Sequence, residues 1–145
     1  MGRLSNIMAV VLALSFLAPA RAQDTSGAAK GVSWEQGRTA SWELAQHRKL
    51  SAALTALKPQ RPGIVDAYVV VVGLDADPVF GREAAEAAKV LSRRYDALGH
   101  TILLASGSST APNGSPIAID TVLAAVAAKM NLKEDVLILY TTSHG

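Results

Sequence analysis

The 145-residue sequence contains no cysteine. No disulfide can brace it, no cysteine is available for a lipid anchor, and no thiol nucleophile lies within these residues. Aromatic residues make up only 5%. No basic stripe is interleaved with them, so the sequence carries none of the marks of a nucleic-acid binder. The phosphate loop ending Gly-Lys-Ser/Thr, the dinucleotide Gly-x-Gly-x-x-Gly and the Gly-x-Ser-x-Gly elbow are also missing. The stretch "SGSSTAPNG" after the second apolar segment has loop composition and nothing more. The apolar stretch Ile7–Leu17 is about half the ~20 residues a membrane span needs, so no stable span is expected there.

The same stretch reads as the core of a secretory signal peptide. Arg3 gives a short positive region before it, and Ala20-Arg21-Ala22 supplies the small-x-small pattern before Gln23. Cleavage is expected after Ala22, with export to a bacterial periplasm or the extracellular space. Arg3 and Arg21 are two of the 14 Lys and Arg residues, so the remainder balances the 12 Asp and Glu. Much of the chain's basic character therefore belongs to the leader.

Residues 23–32 are small and polar. Ser33 to Gln36 has capping-box spacing, and apolar residues recur at helical spacing from about Ala40 to Leu57. Pro59, Pro62 and Gly63 end that helix. Val65–Gly73 then reads as a strand buried on both faces. Asp77 and Pro78 suit the start of a helix whose apolar face runs Phe80, Ala84, Ala87, Leu91, Tyr95 and Leu98, with Gly99 as its stop. His100–Ser106 reads as a second strand. Ile119, Val122, Leu123, Val126 and Met130 form a further helical face, with Asp120 near its start and Asn131 near its end. "DVLILYTTS" reads as a third buried strand. The order β-α-β-α-β, with crossovers of this length, predicts a parallel α/β sheet. Three regions follow: a leader at 1–22, an extension with one helix at 23–58, and an α/β domain from 59 to 145.

Three histidines are candidates for chemistry. His47 lies among Gln46, Arg48 and Lys49 and reads as solvated. His100 opens a strand after a turn and reads as a backbone partner. His144 follows an apolar strand and precedes Gly145, at the edge of the sheet where α/β enzymes place their chemistry. Glu134 and Asp135 lie at the other end of that strand and read as a solvated turn.

"EDVLILYTTSHG" and "RPGIVDAYVVVVG" together resemble the legumain-type cysteine peptidases, relatives of caspases and gingipains. In that family a buried strand ends in His-Gly, and the next strand ends at the nucleophilic cysteine. The resemblance spans Pro59–Gly145. It implies a caspase-like three-layer αβα fold with a mainly parallel sheet of order 2-1-3, truncated here after the third core strand. It implies cysteine endopeptidase activity on a peptide or protein substrate, with no cofactor and no metal. His144 becomes the general base and acid, the N–H of Gly145 part of the oxyanion hole, and Arg82 a substrate-binding residue. The nucleophile lies outside the 145 residues. The family's asparagine after the first strand is replaced by "GLDAD".

Two other readings use the same residues. A strand followed by Asp-x-Asp resembles the first motif of haloacid-dehalogenase-type phosphatases, with Asp75 as nucleophile, Asp77 as acid/base and Ser106 as a phosphate ligand. Pro78-Val79 stands where that motif has Gly-Thr, and no later acidic pair for magnesium is visible. The remaining reading is an exported remnant or binding module without catalysis.

Overall fold

The computed structural model describes residues 38–144. The leader, the capping-box residues Ser33–Gln36 and Gly145, expected to serve the oxyanion hole, lie outside the described residues. Six elements follow in order: α1 (Ala40–Ala56), β1 (Ala67–Gly73), α2 (Pro78–Arg94), β2 (Thr101–Ala105), α3 (Pro116–Lys129) and β3 (Val136–Thr142). The strands form one parallel sheet in the order β2-β1-β3. The α/β class, parallel pairing and strand order agree with the reading of the sequence.

Helix starts follow local chemistry. Thr39 caps α1 by accepting the N–H of Trp42, and Asp77 caps α2 by accepting that of Val79. Ser115 caps α3 by accepting that of Ala118. Pro78 and Pro116 occupy first-turn positions, where a missing N–H costs nothing.

Alternate residues of β1 serve two cores. Tyr68, Val70 and Val72 pack with Ile102 and Leu104 of β2 against Val122 and Val126 of α3, with α1 beside them. Val69 and Val71 pack on the opposite face against Ala84 and Ala88 of α2. The chain leaves β1 toward one neighbour and returns past it to the other. Two crossovers of the same hand therefore fall on opposite faces of the sheet.

Four boundaries or environments differ from expectation. Strand β1 starts at Ala67, because Ile64 and Val65 are exposed in the preceding turn. Helix α2 stops at Arg94, well before Gly99. Tyr95 is its cap, Asp96 takes a positive φ of 50°, and the N–H of Ala97 returns to the Ser92 carbonyl at 2.8 Å. That is a Schellman closure with aspartate in the left-handed position. It leaves Tyr95 and Leu98 exposed, while Gly99 makes a separate turn at φ 91°. Strand β3 is not buried on both faces. Leu137 and Leu139 are 42% and 49% exposed, because they share a face with Tyr68 and Val70 but lie beyond the cover of α3. Asp135 is half-buried rather than solvated: its Oδ1 accepts from the N–H of Asp66 and its Oδ2 from that of Asn131.

Candidate functional site at the carboxyl end of the sheet

Connections diverge between β1 and β3: the chain leaves β1 to cross one way, and β3 lies on the other side. In an open parallel sheet, that crevice at the carboxyl ends is where ligands bind. Asp75 follows β1 and His144 follows β3, so both reach this crevice. Their side chains come to 4.0 Å between Nε2 and Oδ2. The ends of the two strands are tied by the Leu74 N–H, which donates to the Thr142 carbonyl at 3.0 Å.

His144 is held on a second side by α2. The Phe80 and His144 rings meet edge to face, with centroids 4.7 Å apart. The imidazole is otherwise open, its side chain 69% exposed. Asp75 is anchored by its Oδ1, which accepts the Asp77 N–H at 2.8 Å. One carboxylate oxygen thus shapes the loop while the other faces the histidine.

One turn after Phe80, Glu83 clamps β3. Its Oε1 accepts from the Tyr140 hydroxyl at 2.6 Å and its Oε2 from the Thr142 hydroxyl at 2.8 Å. The Tyr140 bond, followed by the Thr142 bond, holds the Glu83 carboxyl below its ordinary range. The same bond pushes the Tyr140 phenol up. Arg82, the residue before Glu83, is exposed.

The two residues that would complete an Asp75-based phosphatase are engaged elsewhere. Asp77 Oδ1 caps α2. The Ser106 hydroxyl is buried and donates to the carbonyls of Leu74 at 3.1 Å and Gly114 at 3.4 Å. Among the described residues, no group of three histidine or acidic side chains is placed to hold a metal ion. No described helix is long and apolar enough to cross a membrane.

Sequence reasoning placed His144 correctly at a strand end. It missed Asp75 as the neighbour of His144 and Glu83 as the brace of β3. The signal for Asp75 was its position just beyond β1, since residues there reach the same crevice. Glu83 had no such signal, because a glutamate on an exposed helix face looks like a solvated charge. His47 is exposed and His100 is buried at the opposite end of the sheet, where its Nε2–H donates to the Pro59 carbonyl at 3.1 Å.

No family model matches the chain, and neither does any curated protein or solved structure.

Proposed function

We propose that this chain is the histidine-bearing part of an exported, caspase-like cysteine endopeptidase of the legumain type. The observation that supports the reading best is the approach of Asp75 to His144 at the crevice between β1 and β3. A strand order of β2-β1-β3 with Ser-His-Gly leaving β3 also fits it. In this reading the nucleophile is a cysteine supplied from outside the 145 residues.

The chemistry assigns the parts as follows. With Nε2 turned toward Asp75, Nδ1 takes the thiol proton. The thiolate sulfur then bonds to the scissile carbonyl carbon. As the C–N bond breaks, the imidazolium returns its proton to the leaving amine, and water later hydrolyses the thioester. Asp75 is a positioning residue: it sets the ring's orientation. The Gly145 N–H contributes to the oxyanion hole, and Arg82 reads the substrate side chain.

The test uses the natural protein that contains this sequence. It cleaves peptides, loses that activity to thiol alkylation, and loses roughly 10³-fold in kcat on His144→Ala. The isolated 145-residue chain cleaves nothing by this route, since it has no cysteine. A folded His144→Ala protein with wild-type peptidase activity overturns the site. Phosphate release requiring Asp75 and magnesium overturns the family.

A further inference from the structure

In "SGSSTAPNG" the last two residues, Asn113 and Gly114, form the one Asn-Gly pair of the sequence. Glycine has no side chain to shield its amide nitrogen or to limit its backbone, so an unstructured Asn-Gly link is the most reactive kind of asparagine link. The Gly114 nitrogen attacks the Asn113 side-chain carbonyl carbon, the bond to Nδ2 breaks, and ammonia leaves. Water then opens the resulting succinimide to aspartate or isoaspartate. One water is consumed and one ammonia released, with no oxidant, reductant or metal.

The fold holds the pair away from that reaction. Residues 111–114 are buried one after another, and Asn113 is only 8% exposed. The Pro112 carbonyl accepts the Ala105 N–H of β2 at 2.8 Å. The Asn113 N–H donates to Gln46 Oε1 of α1 at 2.9 Å. The Gly114 carbonyl accepts the Ser106 hydroxyl at 3.4 Å. Lys49 Nζ of α1 donates to the Ser108 and Ala111 carbonyls at 3.0 and 3.4 Å. Gly114 is wedged against β1, since a Cβ there would lie 2.5 Å from the Gly73 carbonyl oxygen. Asn113 Nδ2, the atom that leaves as ammonia, is sealed from solvent and has no partner. Ring closure needs Asn113 and Gly114 to turn about their backbone bonds, so it waits for the loop to open.

We infer that Asn113-Gly114 is a deamidation site masked by the fold, and that its reaction is a one-way release of this loop from α1. Either product fits worse than asparagine. Aspartate puts a charge where even the neutral amide has no partner, and an unpaired buried charge is costly. Isoaspartate adds a methylene to the main chain, where Gly114 leaves no room for a methyl group. Gln46 and Lys49 are the α1 residues that hold the loop. A loop that no longer reseats lets go of both. A chain that has once opened here is thereby marked chemically. His144 takes no part, so the inference stands apart from the peptidase reading.

The experiment incubates the full 145-residue chain, dilute, in mildly alkaline buffer with and without guanidinium chloride. Peptide mapping by mass spectrometry follows the conversion of each asparagine amide to acid. In denaturant, Asn113 reacts well ahead of Asn131, which is followed by the bulky Leu132. Without denaturant, Asn113 reacts at least about tenfold more slowly than with it. Gln46→Ala speeds the native reaction about fivefold, the worth of one hydrogen bond, and leaves the rate in denaturant unchanged. Asn113→Asp, the product itself, unfolds at a lower denaturant concentration than the parent chain or fails to fold. Equal Asn113 rates in the two buffers, Asn113 no faster than Asn131 in denaturant, a native rate unchanged in Gln46→Ala, or Asn113→Asp with the parent's unfolding midpoint overturns the proposal.

Discussion

Asp66 is fully buried at the foot of β1 and carries the largest concentration of polar contacts at that end of the sheet. Its Oδ2 accepts from the Arg61 N–H at 2.6 Å, and its Oδ1 from Arg61 Nε at 2.7 Å. Arg61 also reaches Asp96 beyond the end of α2, at 3.2 Å. His100, 3% exposed, turns its unpartnered Nδ1 toward Asp66 at 3.9 Å. Burial pushes the Asp66 carboxyl up, but the Arg61 side-chain and backbone hydrogen bonds outweigh it, helped by the charges of His100 and Arg61. The net direction is down. A depressed folded value means the unfolded chain holds its proton more tightly. The stabilisation is therefore complete above the ordinary carboxylate range, near pH 4, and is lost as pH falls below it through the folded value. Asp66→Ala is expected to cost about 2 kcal/mol by denaturant melts at neutral pH, because the Arg61 N–H loses its acceptor. It also flattens the acid limb of the stability profile. Gly114 has a different constraint. A Cβ there would lie 2.5 Å from the Gly73 carbonyl oxygen, which is backbone and cannot rotate away. Gly114→Ala should cost about 2 kcal/mol through overpacking and loosen the loop that carries Asn113.

Among the strands, β3 is the one least covered. It pairs with β1 along one edge, and no described strand occupies the other. Val136, Leu137 and Leu139 are exposed on it. Unpaired apolar edges recruit other strands, so the 145-residue chain alone is expected to self-associate in light scattering. Leu139→Lys should reduce that association while changing stability by no more than about 0.5 kcal/mol, since the side chain is already half in water. A monodisperse wild-type monomer in light scattering would count against the edge as an association surface. The strand's carboxyl end is held by the Glu83 clamp on Tyr140 and Thr142. Glu83→Ala removes both bonds, four and two residues before His144. On the peptidase reading, kcat of the natural protein is expected to fall with little change in KM, and Glu83→Gln, which can still accept from Tyr140, should restore part of the loss. Equal activity in the alanine variant would show that β3 holds His144 without this brace.

For the molecule as a whole, the leader reading leads to a direct measurement. N-terminal sequencing of protein secreted from an exporting host should begin at Gln23. A product still starting at Met1 in the membrane fraction would overturn the export assignment.

Much of the architecture was legible before any coordinates. Valine-rich β1 read as a strand buried on both faces, and Asp77-Pro78 suited the start of a helix, because backbone chemistry is local. His144 was likewise marked by its place at a strand end. Local pattern failed wherever the partner lay far along the chain. Leu137 and Leu139 look like core residues, but the reach of α3 decides their exposure. Asp66 looks like the edge of a strand, but Arg61, Asp135 and Asp96 converge around it. Asn113 looks like part of a polar loop, but α1 buries it. The sequence by itself determined the parallel α/β class and the histidine at the end of β3. Only the tertiary structure decided that Asp75 meets that histidine, that Glu83 braces its strand and that Asn113 is buried against α1. Period and capping are set by neighbours in the chain, whereas burial and side-chain partners are set by how distant elements pack.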